Sequence, residues 1–286
     1  MSLYQILIYF VIYSFLGWIA EVIYHTVTYG EVENRGMLNG PVCPIYGVGI
    51  VGCFLISDAV MSAISNGQVT DGRSLNGVLV FIGGGILATL LEYVTGYVLE
   101  KLFHMRWWDY RGKPFNIDGY VCVEFSIIWG FVAVFVVKIL HPDMRTYVMP
   151  ALMVSFGWMI LIVIYAVFVI DVISTVLTIR KLDRYLGELH GVQKRLHTFS
   201  EEMSRRIGND TLNNMQWIDE GRLQASLAKA EFRDAGEEKR KELEQYASEI
   251  RQKLAASRIA GTGRMIHAFP KLQHENYDID FARWWE

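Results

Sequence analysis

Five stretches of this chain are each long and apolar enough to be buried in lipid, and that constrains the fold before any motif is read. A lipid-spanning helix needs about 20 mostly apolar residues. Residues 3–27, 44–64, 76–103, 120–140 and 147–177 qualify. The mean hydropathy of +0.23 agrees, since water-soluble domains rarely average above zero. The expected fold is therefore an all-α polytopic membrane protein with about five transmembrane helices and a C-terminal cytoplasmic helical tail. Residues 1–178 would form the transmembrane domain and residues 179–286 the tail. The first apolar run has no basic leader and no small-residue cleavage site, so it reads as a retained span.

Five spans put the two ends of the chain on opposite sides. Arg180, Lys181, Arg184, Lys194 and Arg195 follow the last window closely, which assigns the tail to the cytoplasm and the N-terminus to the outside of a cell membrane. The first connection, 28–43, and the third, 104–119, then face the cytoplasm. The second, 65–75, and a brief His141–Pro142–Asp143 connection face outward. Lys101, Arg106, Arg111 and Lys113 crowd the third connection, in keeping with the positive-inside bias.

Charge separates the two parts. Eight of the 27 Lys/Arg and twelve of the 30 Asp/Glu lie in residues 1–178, so the shorter tail is dense in both signs. Leu182, Leu189, Leu196 and Met203 recur every seven residues, with Leu186 and Ile207 beside them and Gln193 and Ser200 interrupting. That pattern predicts a solvated helical hairpin or a coiled coil able to form a homo-oligomer. Gly208–Asn209–Asp210 is expected to end the first tail helix. With no basic excess, nucleic acid is excluded as a partner. Cys43, Cys53 and Cys122 lack metal-ligand spacing, so neither a metal site nor a disulfide framework is expected, and no cofactor is implied.

Acids inside apolar windows carry the sharpest functional signal. Glu21, Glu92, Glu124 and Asp171 each cost about 2.5–3.5 kcal/mol at a helix centre, so each should face a partner or a cavity. All four fall in the cytoplasmic half under the expected topology. Beside them runs "ENRGMLNGPVCPIYG", in which Gly36 and Gly40 permit unusual backbone and Pro41 and Pro44 fix it. So stiff and polar a connection predicts a re-entrant or cavity-lining segment, because irregular backbone at membrane depth must be buried in protein. The helix starting at Pro44, with Arg35 near it, could meet an anionic group or a neighbouring glutamate. The third connection, "HMRWWDYRGKPFNIDGY", offers Asp109, Asn116 and Asp118, while Trp107 and Trp108 suit the headgroup level of membrane lipids. A substrate-binding site is expected from Glu21, Arg35, Glu92, Asp109, Asn116 and Glu124.

Several other motifs fail. "GVGIVG" fits GxGxxG, yet no strand precedes it, so close helix packing is the expectation there and at Gly83–Gly84–Gly85. No phosphate-binding GxxxxGK[ST] loop occurs, so the chain cannot hydrolyse ATP that way. Serine catalysis has no supporting context.

"FLGWIAEVIY", "NRGMLNGPVCPIYGVG", "LLEYVTGYVLEKLFHMRWWDY" and "PFNIDGYVCVEFSIIWG" resemble the type IV ABC-transporter permease (CmpB) family over roughly the first 175 residues. "HAFPKL", residues 267–272, is similar to the family's tail ending. Arg111 stands where that pattern usually has serine or threonine. The resemblance implies a permease-like subunit served by a separate ATPase. The residues themselves leave two alternatives open: an intramembrane enzyme acting on a lipid-linked substrate through Glu21, Glu92 or Glu124, or a membrane scaffold.

Overall fold

The computed structural model describes residues 1–64, 76–154, 156–214, 222–255, 261–269 and 272–277. Helices dominate. α1 is Leu3–Tyr29, α2 Pro44–Ile64 and α3 Gly77–Phe103. α4 is the helical run Val123–Leu152, α5 is Gly157–Asn214, α6 Arg222–Ala255 and α7 Gly261–Ala268. Four two-residue strands complete the described chain: β1 Met105–Arg106, β2 Asn116–Ile117, β3 Val121–Cys122 and β4 Gln273–His274. The connection 65–75 expected on the outer side lies outside the described residues.

Among the described residues, four helices are long and apolar enough to cross a membrane: α1, α3, α4 and the first part of α5. In α2 the part whose side chains are described, Pro44–Ile56, is apolar throughout. One boundary differs from the sequence expectation. His141–Pro142–Asp143 is no connection; it lies inside α4, between π turns at Val136–Leu140 and Met144–Val148. A proline has no N–H and its ring crowds the carbonyl one turn earlier. The wider π turns absorb that misfit, with the His141 amide donating to the Val136 carbonyl and the Met149 amide to Met144. The chain instead leaves the helix after Leu152, where Met153 takes ψ 64°, and the Gly157 amide donates to the Val154 carbonyl at 2.9 Å.

The chain divides into two compact units, Met1–Ile179 with Arg264–Glu286, and Arg180–Gly263. In the first, Tyr9, Tyr13, Phe54, Val136, Val137, Met149 and Leu161 form the buried core. Tyr13 meets His141 Nδ1 at 3.0 Å, and the His141 ring stacks on Phe54. Small residues set the close approaches. A Cβ on Gly17 would strike the Tyr46 ring, and one on Gly47 would strike Ser14 Oγ and Phe10. "GVGIVG" is thus a packing face. Gly84 and Gly85 abut Ala133, Ser126 and Gly130 of α4, whereas Gly83 faces open space.

In the second unit, α5 continues to Asn214, so Gly208–Asn209–Asp210 does not end it. A glycine costs about 1 kcal/mol in a helix interior, which a long helix can carry. Leu182, Leu186, Leu189 and Val192 are buried, as are Ala247, Ile250 and Leu254 of α6. The side chains of Met203 and Ile207 lie outside the described residues.

Candidate functional site

The first connection does not loop freely beyond α1; it runs back along it. α1 ends in a left-handed Gly30, φ 77°. By residue 43 the backbone has returned to the level of Ser14, whose carbonyl accepts the Cys43 amide at 2.9 Å. Fifteen residues of helix separate Ser14 from Tyr29, about 22 Å at 1.5 Å per residue. Backbone donors in such a place need partners, and they have them. Asp171 of α5 accepts the Asn39 amide at 3.0 Å on Oδ1 and the Gly40 amide at 2.8 Å on Oδ2. The Asn39 side chain donates to the same carboxylate at 3.1 Å and to Thr175. Asn34 knits the loop from within, accepting from the Trp18 indole at 2.7 Å and donating to the Asn39 carbonyl at 2.8 Å.

The third connection is also built, around a hairpin. β2 pairs antiparallel with β3, Asn116 opposite Cys122 and Ile117 opposite Val121. Asp118 and Gly119 turn it with φ of 52° and 74°, the Asp-Gly chemistry that left-handed hairpin turns favour. A Cβ at Gly119 would also meet Arg111 and Asp109 at 2.7 Å. Asn116 donates to the carbonyls of Lys113 and Arg111 and accepts from the Gly119 amide. Asp109 accepts the Arg111 amide and guanidinium. Trp107 is buried with its ring edge-on to Phe103 of α3, and the Trp108 indole donates to the Tyr120 carbonyl of the hairpin at 2.9 Å.

Between these two connections lies a line of polar contacts. Arg35 Nε stands 3.6 Å from Glu21, and its guanidinium lies over the Tyr24 ring. Tyr46, in the first turn of α2, donates to Glu21 at 2.6 Å. Its ring packs edge-on against Trp129 of α4, centroids 5.6 Å apart. The Trp129 indole donates to Glu92 Oε2 at 3.2 Å, and Tyr110 of the hairpin donates to Glu92 Oε1 at 3.1 Å. The run Arg35–Glu21–Tyr46–Trp129–Glu92–Tyr110 therefore spans from one connection to the other. Burial, then the negative fields of Glu92 and Glu21, raise the Tyr110 phenol, which stays a neutral donor. Glu92 is 8% exposed, and among the described residues no cation pairs with it. A buried carboxylate held only by neutral donors can take up a proton or hold a cation.

Of the six residues expected at the site, Glu21, Arg35 and Glu92 stand along this run. Asp109 and Asn116 shape the hairpin that delivers Tyr110. Glu124, in the first turn of α4, pairs with Lys113 at 2.8 Å on the exposed side. Sequence reasoning passed over Tyr46, Trp129 and Tyr110, which satisfy the carboxylates. It also passed over Glu100, buried at 7% with the Arg106 guanidinium and Tyr120 hydroxyl on it. Its spacing is a usable signal: Glu92, Gly96 and Glu100 fall at i, i+4 and i+8 and are all buried.

Apolar helices of crossing length around buried carboxylates, with backbone that returns along a helix, define a polytopic α-helical membrane protein. More narrowly, the chain belongs to the family described as "Putative ABC-transporter type IV", whose model matches residues 8–176, more than half of its length. The matched segment contains every residue of the polar run. No curated protein and no solved structure matches the chain.

Proposed function

We propose that this chain is the permease-type subunit of an ABC-type transporter, with the run from Arg35 to Tyr110 as its constrained polar site. The observation that carries the proposal is the placement of Glu92: a carboxylate on a helix of crossing length, held by donors from two other segments, inside the region that matches the family. Acids so placed mark the paths of ions, protons or polar substrates through membrane proteins. The site is assigned to the cytoplasmic side of a cell membrane, with the N-terminus outside and residues 180–263 as a cytoplasmic helical unit. A cysteine introduced at Glu31 should then resist labelling from outside intact cells, while one at Met153 should react. The reverse pattern would invert the orientation.

Because the chain has no phosphate-binding loop, ATP-driven transport requires a second polypeptide that carries one. The charged helices that follow Arg180 are the surface proposed to receive it, since a specific interface needs about 1,200 Å² or more. Gentle purification of the full chain from its native membrane is expected to retain an ATPase, identified by mass spectrometry. Recovery of homo-oligomers alone, turning over a lipid substrate without ATP, would end the transporter reading in favour of an enzyme.

A further inference from the structure

The last described residues of the chain do not trail away from the helical unit; they bind both of its built connections. Arg264 is 1% exposed, among the most deeply buried side chains present. Its guanidinium donates to three carbonyls of the first connection: Asn34 at 3.1 Å, Gly36 at 2.9 Å and Met37 at 2.9 Å. Burial lowers its pKa, and the negative fields of Asp171 and Glu33 oppose that. Arginine suits such a cradle because its planar fork reaches several acceptors at once and does not shed its proton. Beyond α7 the chain adds a strand to the third connection. β4 pairs antiparallel with β1, Met105 opposite His274 and Arg106 opposite Gln273. Glu275 extends the pairing, its amide donating to the His104 carbonyl at 2.7 Å and its carboxylate meeting His104 at 3.2 Å and Lys101 at 3.9 Å. Gln273 accepts from Arg111 at 2.8 Å. Met265, Ile266, Ala268 and Leu272 are buried along the same segment.

These contacts fall on the two segments that deliver the ends of the polar run. Arg264 grips the backbone at 34–37, which carries Arg35 to Glu21. β4 and Glu275 grip 104–106 and Arg111, on either side of Tyr110, which reaches Glu92. We infer that residues 264–277 are a tethered peptide ligand of this surface, a clamp whose docking holds Arg35 and Tyr110 on the two carboxylates and so governs access to the site from that end. Arg264 is a positioning residue in this scheme. The binding mode is strand addition at an open edge, supplemented by a guanidinium in a carbonyl cradle. The inference rests on the polar run being the functional site, but its test does not depend on transport.

Cys43 is a local reporter. It is buried, its pKa is pushed up to about 12 by burial and then by Glu21, and it closes the first connection. Cys53 lies farther along α2 and serves as a control. Full-length protein retaining only Cys43, or only Cys53, is to be labelled with a maleimide in native-like membranes. A buried thiol reacts through local opening, so loosening the connection speeds it. Arg264→Ala is expected to accelerate Cys43 on the order of tenfold, the scale of one lost charged hydrogen bond, and to leave Cys53 unchanged. Arg264→Lys should lie between. Unchanged Cys43 labelling, or equal acceleration at both cysteines, would overturn the clamp. Should Arg264→Ala fail to fold, the pair Met105→Cys and His274→Cys in a background free of native cysteines decides the matter. Opposed residues of an antiparallel pair stand about 4.5–5.5 Å apart at Cα, within disulfide reach. Cross-linking under mild oxidation is expected, and its absence would refute the docking. Intact clamp behaviour beside a silent Glu92→Gln would instead sink the site reading alone.

Discussion

Asp171→Ala should be among the most damaging single changes in the membrane unit. The carboxylate accepts the backbone amides of Asn39 and Gly40 and the Asn39 side chain, and with Thr175 it ties the first connection to α5. Alanine leaves two backbone donors without partners where water is scarce. Each such loss costs about 1–3 kcal/mol, so a total of about 2–5 kcal/mol is expected. In detergent that corresponds to a Tm fall on the order of 10 °C. Asp171→Asn keeps one acceptor oxygen and should fall between. A Tm for Asp171→Ala within about a degree of the parent would mean that the connection is held by something else.

The second large effect lies at Glu92, where two substitutions should part company. Glu92→Ala removes both acceptors, stranding the Tyr110 hydroxyl and the Trp129 indole and leaving a void between α3 and α4. A loss of about 2–5 kcal/mol follows from stranded donors together with the cavity. Glu92→Gln preserves shape and one acceptor, and the Tyr110 hydroxyl can accept from the new amide. It should fold almost as well as the parent while losing the charge. Thermal unfolding of both variants separates the structural role of the side chain from its charge. Equal destabilisation by alanine and glutamine would show that the negative charge itself supports the fold.

How much of this was legible in the sequence depends on whether the signal was local. Windows of about 20 apolar residues located α1 and α3 almost to the residue, because hydropathy and length suffice for an isolated span. The α4–α5 boundary was missed for the same reason. Met153, Val154 and Phe156 are apolar and no charge or proline marks the end of α4, while His141–Pro142–Asp143 looks like a break and is absorbed by π turns. The unusual composition of 31–47 did announce a built connection, since glycine and proline there answer to backbone geometry. Its anchor was less visible: Asp171 stood out as an acid in a span, but nothing local paired it with Asn39, 132 residues away.

The same limit governs the site. Glu21 and Glu92 were flagged because a charge in an apolar window is costly wherever it points. Tyr46, Trp129 and Tyr110 were not, because an aromatic in a membrane protein is unremarkable until its hydroxyl or indole N–H meets an acceptor. Arg264 was the least legible of all. In sequence it is one cation among many in a charged tail, and only the fold, which returns residues 264–277 to the first unit, sets it apart.

The central claim is that the Glu92 carboxylate, held between the two connections, is the working group of a permease-type subunit. The most direct measurement is ATP hydrolysis by the complex purified gently from native membranes and reconstituted in liposomes, with the parent chain or with Glu92→Gln. The account predicts equal recovery of both complexes and a rate at least about tenfold lower for Glu92→Gln, the effect of losing one buried charge worth about 1.4 kcal/mol or more. An unchanged rate from a fully assembled Glu92→Gln complex would contradict it.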